Sequence, residues 1–290
     1  MKGSLLGIAC VLVLVGCVTP VNDASPPGSL NAGNTNPSPV PETITQEIVD
    51  DSENNSLPET ENEINGVTPP EVIAPVDPLA KPTLYNLGVH FGTWNKQTNR
   101  AGDFLFRKGL FDDKIFLESA AYVVGSNGPK YIPELTFHLP EGTKIVSPVN
   151  GTVFKIDKLY SDDYSVHIRT TPNSQWLVTF EHLENLTVEE GQSIEVGTIL
   201  GDASTFGGVD GMAFTELVVW KGGATEMDIT KACPVPLLDP SVKPALEASI
   251  RQLAKDWESY MKKDIYDETA WFAPGCMREQ LTEYEAMHPE

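Results

Sequence analysis

Glu216 stands between Phe214 and Val218 in the stretch "GVDGMAFTELVVWKGG". A glycine-spaced loop leads there into alternating apolar residues, and a strand that only packs has little use for a carboxylate. A carboxylate held among apolar neighbours can ligate a metal ion or carry a proton, so Glu216 is a candidate for either chemistry. Two other catalytic layouts are missing from the sequence. It has no glycine-rich phosphate loop between a strand and a helix, and no Gly-x-Ser-x-Gly elbow. Other polar residues carry plainer expectations. His167 alternates within "YSVHIRTT" and should pair across strands or face solvent, and His288 lies in the polar C-terminal end and should be solvated. Asp112-Asp113 and Asp162-Asp163 read as acidic turns.

The 4 cysteines divide into two pairs by position. Cys10 and Cys17 lie in the opening "MKGSLLGIACVLVLVGCVTP", where Lys2 precedes an apolar run from Leu5 to Val15. That run is too short to span a membrane comfortably and has the length of a signal-peptide core. Its end, Leu14-Val15-Gly16-Cys17, resembles a bacterial lipobox, which implies cleavage before Cys17 and lipidation of that cysteine. Stable anchoring takes more than one acyl chain. The expected location is therefore outside the cytoplasmic membrane, lipid-anchored, at the cell surface or in the periplasm. In that oxidising compartment Cys233 and Cys276 are expected to pair. The formal net charge of -21 argues against binding to nucleic acid.

The elements that would hold these residues begin late in the chain. Residues 18–80 contain no Lys, Arg, Phe, Trp or Tyr and are rich in Pro, Asn, Ser, Thr and Glu. Such a segment buries too little apolar surface to offset its ordering entropy, so it reads as a disordered acidic tether. Order is expected from near Pro82, with residues 81–235 as a β domain. "LYNLGVHF" and "FLFRKGLF" read as strands, "KIFLESAAYVVG" is open between helix and strand, and "NGPKYIP" reads as a turn. "KIVSPVNGTVFKI", "YSVHIRTT" and "WLVTFEHL" alternate as strands, and short glycine-broken strands follow in "LTVEEGQSIEVGTILGDAS". The fold class is mainly β, a small sandwich or barrel-like sheet. Residues 236–290 form a helical extension. In it Leu246, Ile250, Leu253 and Trp257 recur at steps of three and four, one face of an amphipathic helix over residues 241–263.

Two segments echo each other: "PEGTKIVSPVNGTVFKI" and "VEEGQSIEVGTILGDAS" both pass from Glu-Gly through a glycine turn into a β run. With "FEHLENLTVEEGQSIEVGTILGDAS" and "GGVDGMAFTELVVWKGG", they resemble the lysostaphin/LytM-type zinc endopeptidases of bacterial cell walls. The resemblance covers residues 131–223 and implies a duplicated hybrid-motif β-sheet. Active members hold zinc with a His, an Asp four residues later, and the second His of a His-x-His strand. Anchored on Gly142, the first two positions fall on Ile132 and Thr136. Neither residue suits that role, because Ile has no donor atom and a neutral Thr hydroxyl is a poor zinc ligand. The His-x-His strand falls on Phe214 and Glu216. His182, in "FEHL", keeps the family's residue type at a position that helps polarise substrate or water.

The resemblance therefore implies a degenerate zinc site. No bound cofactor is expected at the usual place, and zinc remains as the alternative if ligands come from elsewhere. His138 lies two residues after Thr136 and would face the same side of a strand, so His138, His182 and Glu216 make an alternative ligand set. His90 or Asp103 could also reach in from the N-terminal part. The reading of function that follows is a non-catalytic, peptidase-like binding or regulatory module. Its partner would be peptidoglycan or a cell-envelope protein; degenerate members of the family regulate wall amidases, so that role is permitted. Two alternatives stand beside it. One is an active zinc endopeptidase that cleaves peptidoglycan cross-links through a rearranged site, with His182 as the catalytic candidate. The other is a structural lipoprotein.

Overall fold

Alternating apolar residues in the centre of the chain become a mainly β, antiparallel structure. The computed structural model describes residues 77–125, 128–207, 209–222 and 228–289. The expected signal peptide, Cys17 and nearly all of the expected tether lie outside the described residues. A three-stranded sheet opens the fold, from β1 (Trp94–Asn95), β2 (Arg100–Ala101) and β3 (Phe104–Leu105). Next come β4 (Phe116–Leu117), a separate hairpin of β5 (Ala121–Gly125) and β6 (Gly128–Ile132), β7 (Leu135–Pro140) and β8 (Lys144–Val146). The long central strands are β9 (Gly151–Lys158), β10 (Tyr164–Arg169) and β11 (Trp176–Glu184). After them lie β12 (Ser193–Ile194), β13 (Ile199–Ala203), β14 (Met212–Lys221) and β15 (Thr230–Ala232). α1 (Lys243–Met261), β16 (Gln280–Thr282) and α2 (Glu283–Met287) follow.

In the largest sheet the order is β12-β9-β10-β11-β14-β15-β16. β14 is long enough to take two partners along one edge. Its first part, Met212 to Leu217, pairs with β7, and its last part, Val219 to Lys221, pairs with β15. Side chains alternate across this sheet. Leu135, Phe137 and Leu139 of β7, Val178 and Phe180 of β11, and Leu217 and Val219 of β14 are buried in one core. Thr136, His138, Phe214 and Glu216 occupy the alternate positions and so share the opposite face.

α1 closes the core. Its buried residues are Ile250, Leu253, Ala254 and Trp257; Leu246, also on the face read from the sequence, is partly buried. Trp257 is fully buried, and its indole Nε1 donates to the Asp113 carbonyl at 2.7 Å. Cys233 and Cys276 are joined by a disulfide that encloses α1 within its loop. Among the described residues no helix is long and apolar enough to cross a membrane.

Two local expectations are corrected. "LYNLGVHF" forms no strand beyond a single bridge from Leu84 to Leu238. The Asn86 side chain accepts from the Gly88 amide at 2.7 Å and turns the chain, with Gly88 at φ 83. A Cβ at Gly88 would come within 2.2 Å of the Phe180 ring, so this turn also requires glycine for space. "NGPKYIP" is largely strand rather than turn, because Gly128–Ile132 pair with Ala121–Gly125. The hairpin is a two-stranded sheet with no further neighbour, so the missing amide of Pro129 costs no ladder partner.

Candidate functional site

Register places the chemistry. β14 sets Glu216 directly opposite Thr136 of β7 on one side and Glu181 of β11 on the other. Three polar side chains thus form a row across three adjacent strands. The Thr136 hydroxyl donates to Oε1 of Glu216 at 3.2 Å. His182 follows Glu181, and regular alternation would send it to the opposite face. Its backbone is instead left-handed, with φ 59, a conformation that costs a non-glycine residue free energy. The imidazole stays by the row, with Nε2 3.8 Å from Oε2 of Glu216.

His182 is buried and held from behind. Its Nδ1 donates to Oδ2 of Asp163 at 2.9 Å. Asp163 is itself buried and also accepts from Ser161 and Ser204. Burial would raise the Asp163 pKa, but these hydrogen bonds outweigh it and hold the carboxyl below its usual range. The acidic turn expected at Asp162-Asp163 is there, but Asp163 also orients the histidine. Nothing in the local sequence separates it from Asp162, because its partners come from distant strands.

The two glutamates face the opposite balance. Burial, then the charges of Glu134 and other carboxylates, pushes Glu181 up to about 7. Burial, then Glu134 and Glu181, pushes Glu216 well above the usual carboxylate range. Lys231 offsets this at Glu181 only in part, because its ammonium is ion-paired with Glu134 at 2.9 Å and Glu283 at 3.0 Å. A groove of about 390 Å³ continues from Glu181 past Val218, Trp220 and Met287 to Lys231 and Glu283. On the other flank Phe214 lies 4.4 Å from the His182 ring, centroid to centroid, and Phe206 stacks on that ring at 5.8 Å. Tyr160, largely exposed, meets Phe206 edge-on.

The groups that converge are Glu181, His182 and Glu216, whose ligand atoms all lie within 4.8 Å of one another. This differs from the set read from the sequence, with Glu181 in place of His138. His138 sits opposite Phe214, where its Nε2 is buried without a hydrogen-bond partner, and burial lowers its pKa to about 4. Glu181 escaped notice because alternation alone never puts neighbours 181 and 182 on one site. His90 and Asp103 do not join the cluster; they bond each other through the His90 amide and the Asp103 carboxylate at 2.6 Å. His167 pairs across strands as expected, with Thr179 at 2.8 Å and Asp157 at 3.1 Å. His288 caps its own turn, with Nδ1 3.0 Å from the Tyr284 carbonyl.

Residues 133–219 match the sequence model of peptidase family M23. No curated protein matches the chain significantly. Solved structures similar to it include LytU, at 22% identity over 41% of this chain and 81% of that one, with a TM-score of 0.33. A mutant catalytic domain of the prophage-encoded M23 protein EnpA from Enterococcus faecalis is 20% identical over 41% of this chain and 88% of that one, at a TM-score of 0.30. The catalytic domain of lysostaphin from Staphylococcus simulans is 14% identical over 41% and 84% of the two chains, at 0.32.

The M23-like segment can be tested against zinc at the positions the resemblance assigns. Ile132 pairs with Ala121 in the β5–β6 hairpin and brings no donor atom. Thr136 spends its hydroxyl proton on Glu216. Phe214 brings a ring where the family uses a histidine. The residues at those positions do not fit a zinc centre, because Glu216 alone among them is an adequate ligand.

Proposed function

We propose that the protein is a lipid-anchored cell-envelope module whose M23-like sheet binds a partner without cleaving it. The observation that carries this reading is the Thr136–Glu216 pair. At the place where zinc would meet two of its ligands, a hydroxyl and a carboxylate satisfy each other at 3.2 Å. Hydrolysis of an amide by zinc-bound water needs the metal held with a position open to water and a group to move the proton. Phe214 removes one such group, and His182, beneath Phe206 and against Phe214, retains only the Nε2 edge. What survives is a recognition surface: the Thr136–Glu216–Glu181 row, a groove of mixed apolar and charged lining and the aromatic flank of Phe206 and Tyr160. The partner class is peptidoglycan or an envelope protein, supported by the M23 match and the lipobox-like Cys17.

The test incubates the intact protein and zinc with purified peptidoglycan. New amino termini are expected to stay at background, while the protein is retained on the wall or on an envelope protein. Release of peptides that disappears in His182→Ala would establish the hydrolytic reading instead.

A further inference from the structure

We propose that the pocket between α2 and strand β6 is a saccharide site that takes an N-acetylated hexosamine unit. The pocket holds about 300 Å³ and is lined by Tyr131, Arg278, Tyr284, Glu285, His288 and Pro289. That is the lower end of small-molecule sites and accommodates one sugar ring. None of these residues lies in the M23-like segment at residues 133–219, and none lines the groove beside Glu181.

Three features select the ligand. The first is flat aromatic surface. Tyr284 is 50% exposed and stacks on His288 at 4.4 Å, centroid to centroid, while His288 Nδ1 is tied to the Tyr284 carbonyl. On β6, Tyr131 meets the exposed Tyr122 ring edge-on at 5.6 Å. The C–H bonds of a pyranose carry slight positive charge and pack on the negative face of such rings.

The second is a pair of opposite charges that do not satisfy each other. The Arg278 guanidinium lies 4.5 Å from the Tyr131 ring centroid, and its Nη2 donates to the Tyr131 hydroxyl at 3.3 Å. Its other donors have no hydrogen-bond partner among the described residues. Glu285 accepts from the Thr282 amide and hydroxyl through Oε2, at 2.9 and 2.8 Å. These bonds hold its carboxyl below the usual range, and Oε1 accepts no hydrogen bond among the described residues. Arg278 and Glu285 feel each other's charge without forming an ion pair. A donor fork and an acceptor of opposite sign in one cavity select neither an anion nor a cation. They suit a neutral ligand that carries both kinds of group. An acetamido group offers its carbonyl to Arg278, its N–H to Glu285 and its methyl to the apolar lining. The third feature is rigidity. Leu281 and Ala286 pack with Ala120, Tyr131 and Met277 in a small core, and the capping box of Thr282 and Glu285 fixes the start of α2. Little ordering cost is left for the ligand to meet.

This inference goes beyond the proposed function and does not depend on how the groove of the sheet is used. The test is calorimetric titration of the intact protein with N-acetylated chitotetraose and with cellotetraose, the same backbone without acetamido groups. One site per chain is expected for the first, with cellotetraose weaker by about tenfold or more. Arg278→Gln should weaken binding about tenfold or more, and Tyr284→Ala about threefold to tenfold. Both side chains are exposed, and thermal melting checks that each variant folds. The proposal is overturned if N-acetylated chitotetraose does not bind, if cellotetraose binds equally well, or if both variants bind as the native protein does. Inorganic phosphate bound through Arg278 in place of the oligosaccharide would assign the pocket to an anion and overturn it too. Hydrolysis, and retention through an envelope protein, are read in the peptidoglycan assay whatever this titration gives, so the two readings fail separately.

Discussion

At the scale of the residue, His138 holds a titratable ring where charge is unfavourable. Burial lowers its pKa from the ordinary 6.5 to about 4, and its Nε2 has no partner to share a proton. Between those values the unfolded chain binds a proton that the folded chain refuses. Stability from this residue is therefore present above pH 6.5 and is lost as the pH falls toward 4, by about 3 kcal/mol at most. His138→Leu should flatten the melting temperature between pH 6.5 and 4 relative to the native protein; equal slopes would refute the assignment. At Asp163, by contrast, charge is favoured, since three donors converge on it. Asp163→Ala should cost about 1–3 kcal/mol in urea unfolding, because the buried His182 Nδ1 loses its acceptor. A loss within a few tenths would show that His182 is not held this way. At this scale the sequence exposed part of the site. Glu216 was legible because a carboxylate broke an apolar alternation. Glu181 was hidden by the left-handed backbone at His182, and Asp163 by partners that only tertiary folding brings near it.

At the scale of the element, α1 was legible because its apolar spacing met a helix period: of the four residues read, Ile250, Leu253 and Trp257 are buried and Leu246 is partly buried. The long strands β9, β10 and β11 were legible for the matching reason, a period of two. The short N-terminal pieces were not. Their conformation is set by one Asx turn at Asn86 and by what Gly88 lies against, and neither leaves a periodic trace. The element with most to lose is α1, whose Trp257 fills the core against Phe106 and Tyr260. Trp257→Ala should cost about 3–5 kcal/mol. The disulfide restrains the same element from its ends. Cys233 and Cys276 are 43 residues apart, and closing a loop of that length lowers unfolded-chain entropy by about 4 kcal/mol in the chain-entropy account. Urea midpoints with and without reductant measure it. An unchanged midpoint after verified reduction would show that packing alone seats α1.

At the scale of the whole molecule, charge and anchoring can be separated. A formal net charge of -21 is repelled by anionic headgroups, so overall charge opposes attachment to an anionic membrane. No described helix can span one either. The proposed attachment rests on acyl chains at Cys17, whose burial in hydrocarbon is favourable. That assigns the salt dependence its sign. Raising the ionic strength screens the repulsion and should leave the membrane-bound fraction unchanged, whereas an ion-paired attachment would release. Cys17→Ser should shift the protein to the soluble extracytoplasmic fraction at any salt concentration. Its binding to the wall or envelope partner should survive, since the M23-like segment at residues 133–219 is far along the chain from the anchor. Persistence of the Cys17→Ser variant in washed membranes, with the segment before residue 17 shown to be removed, would refute the anchor.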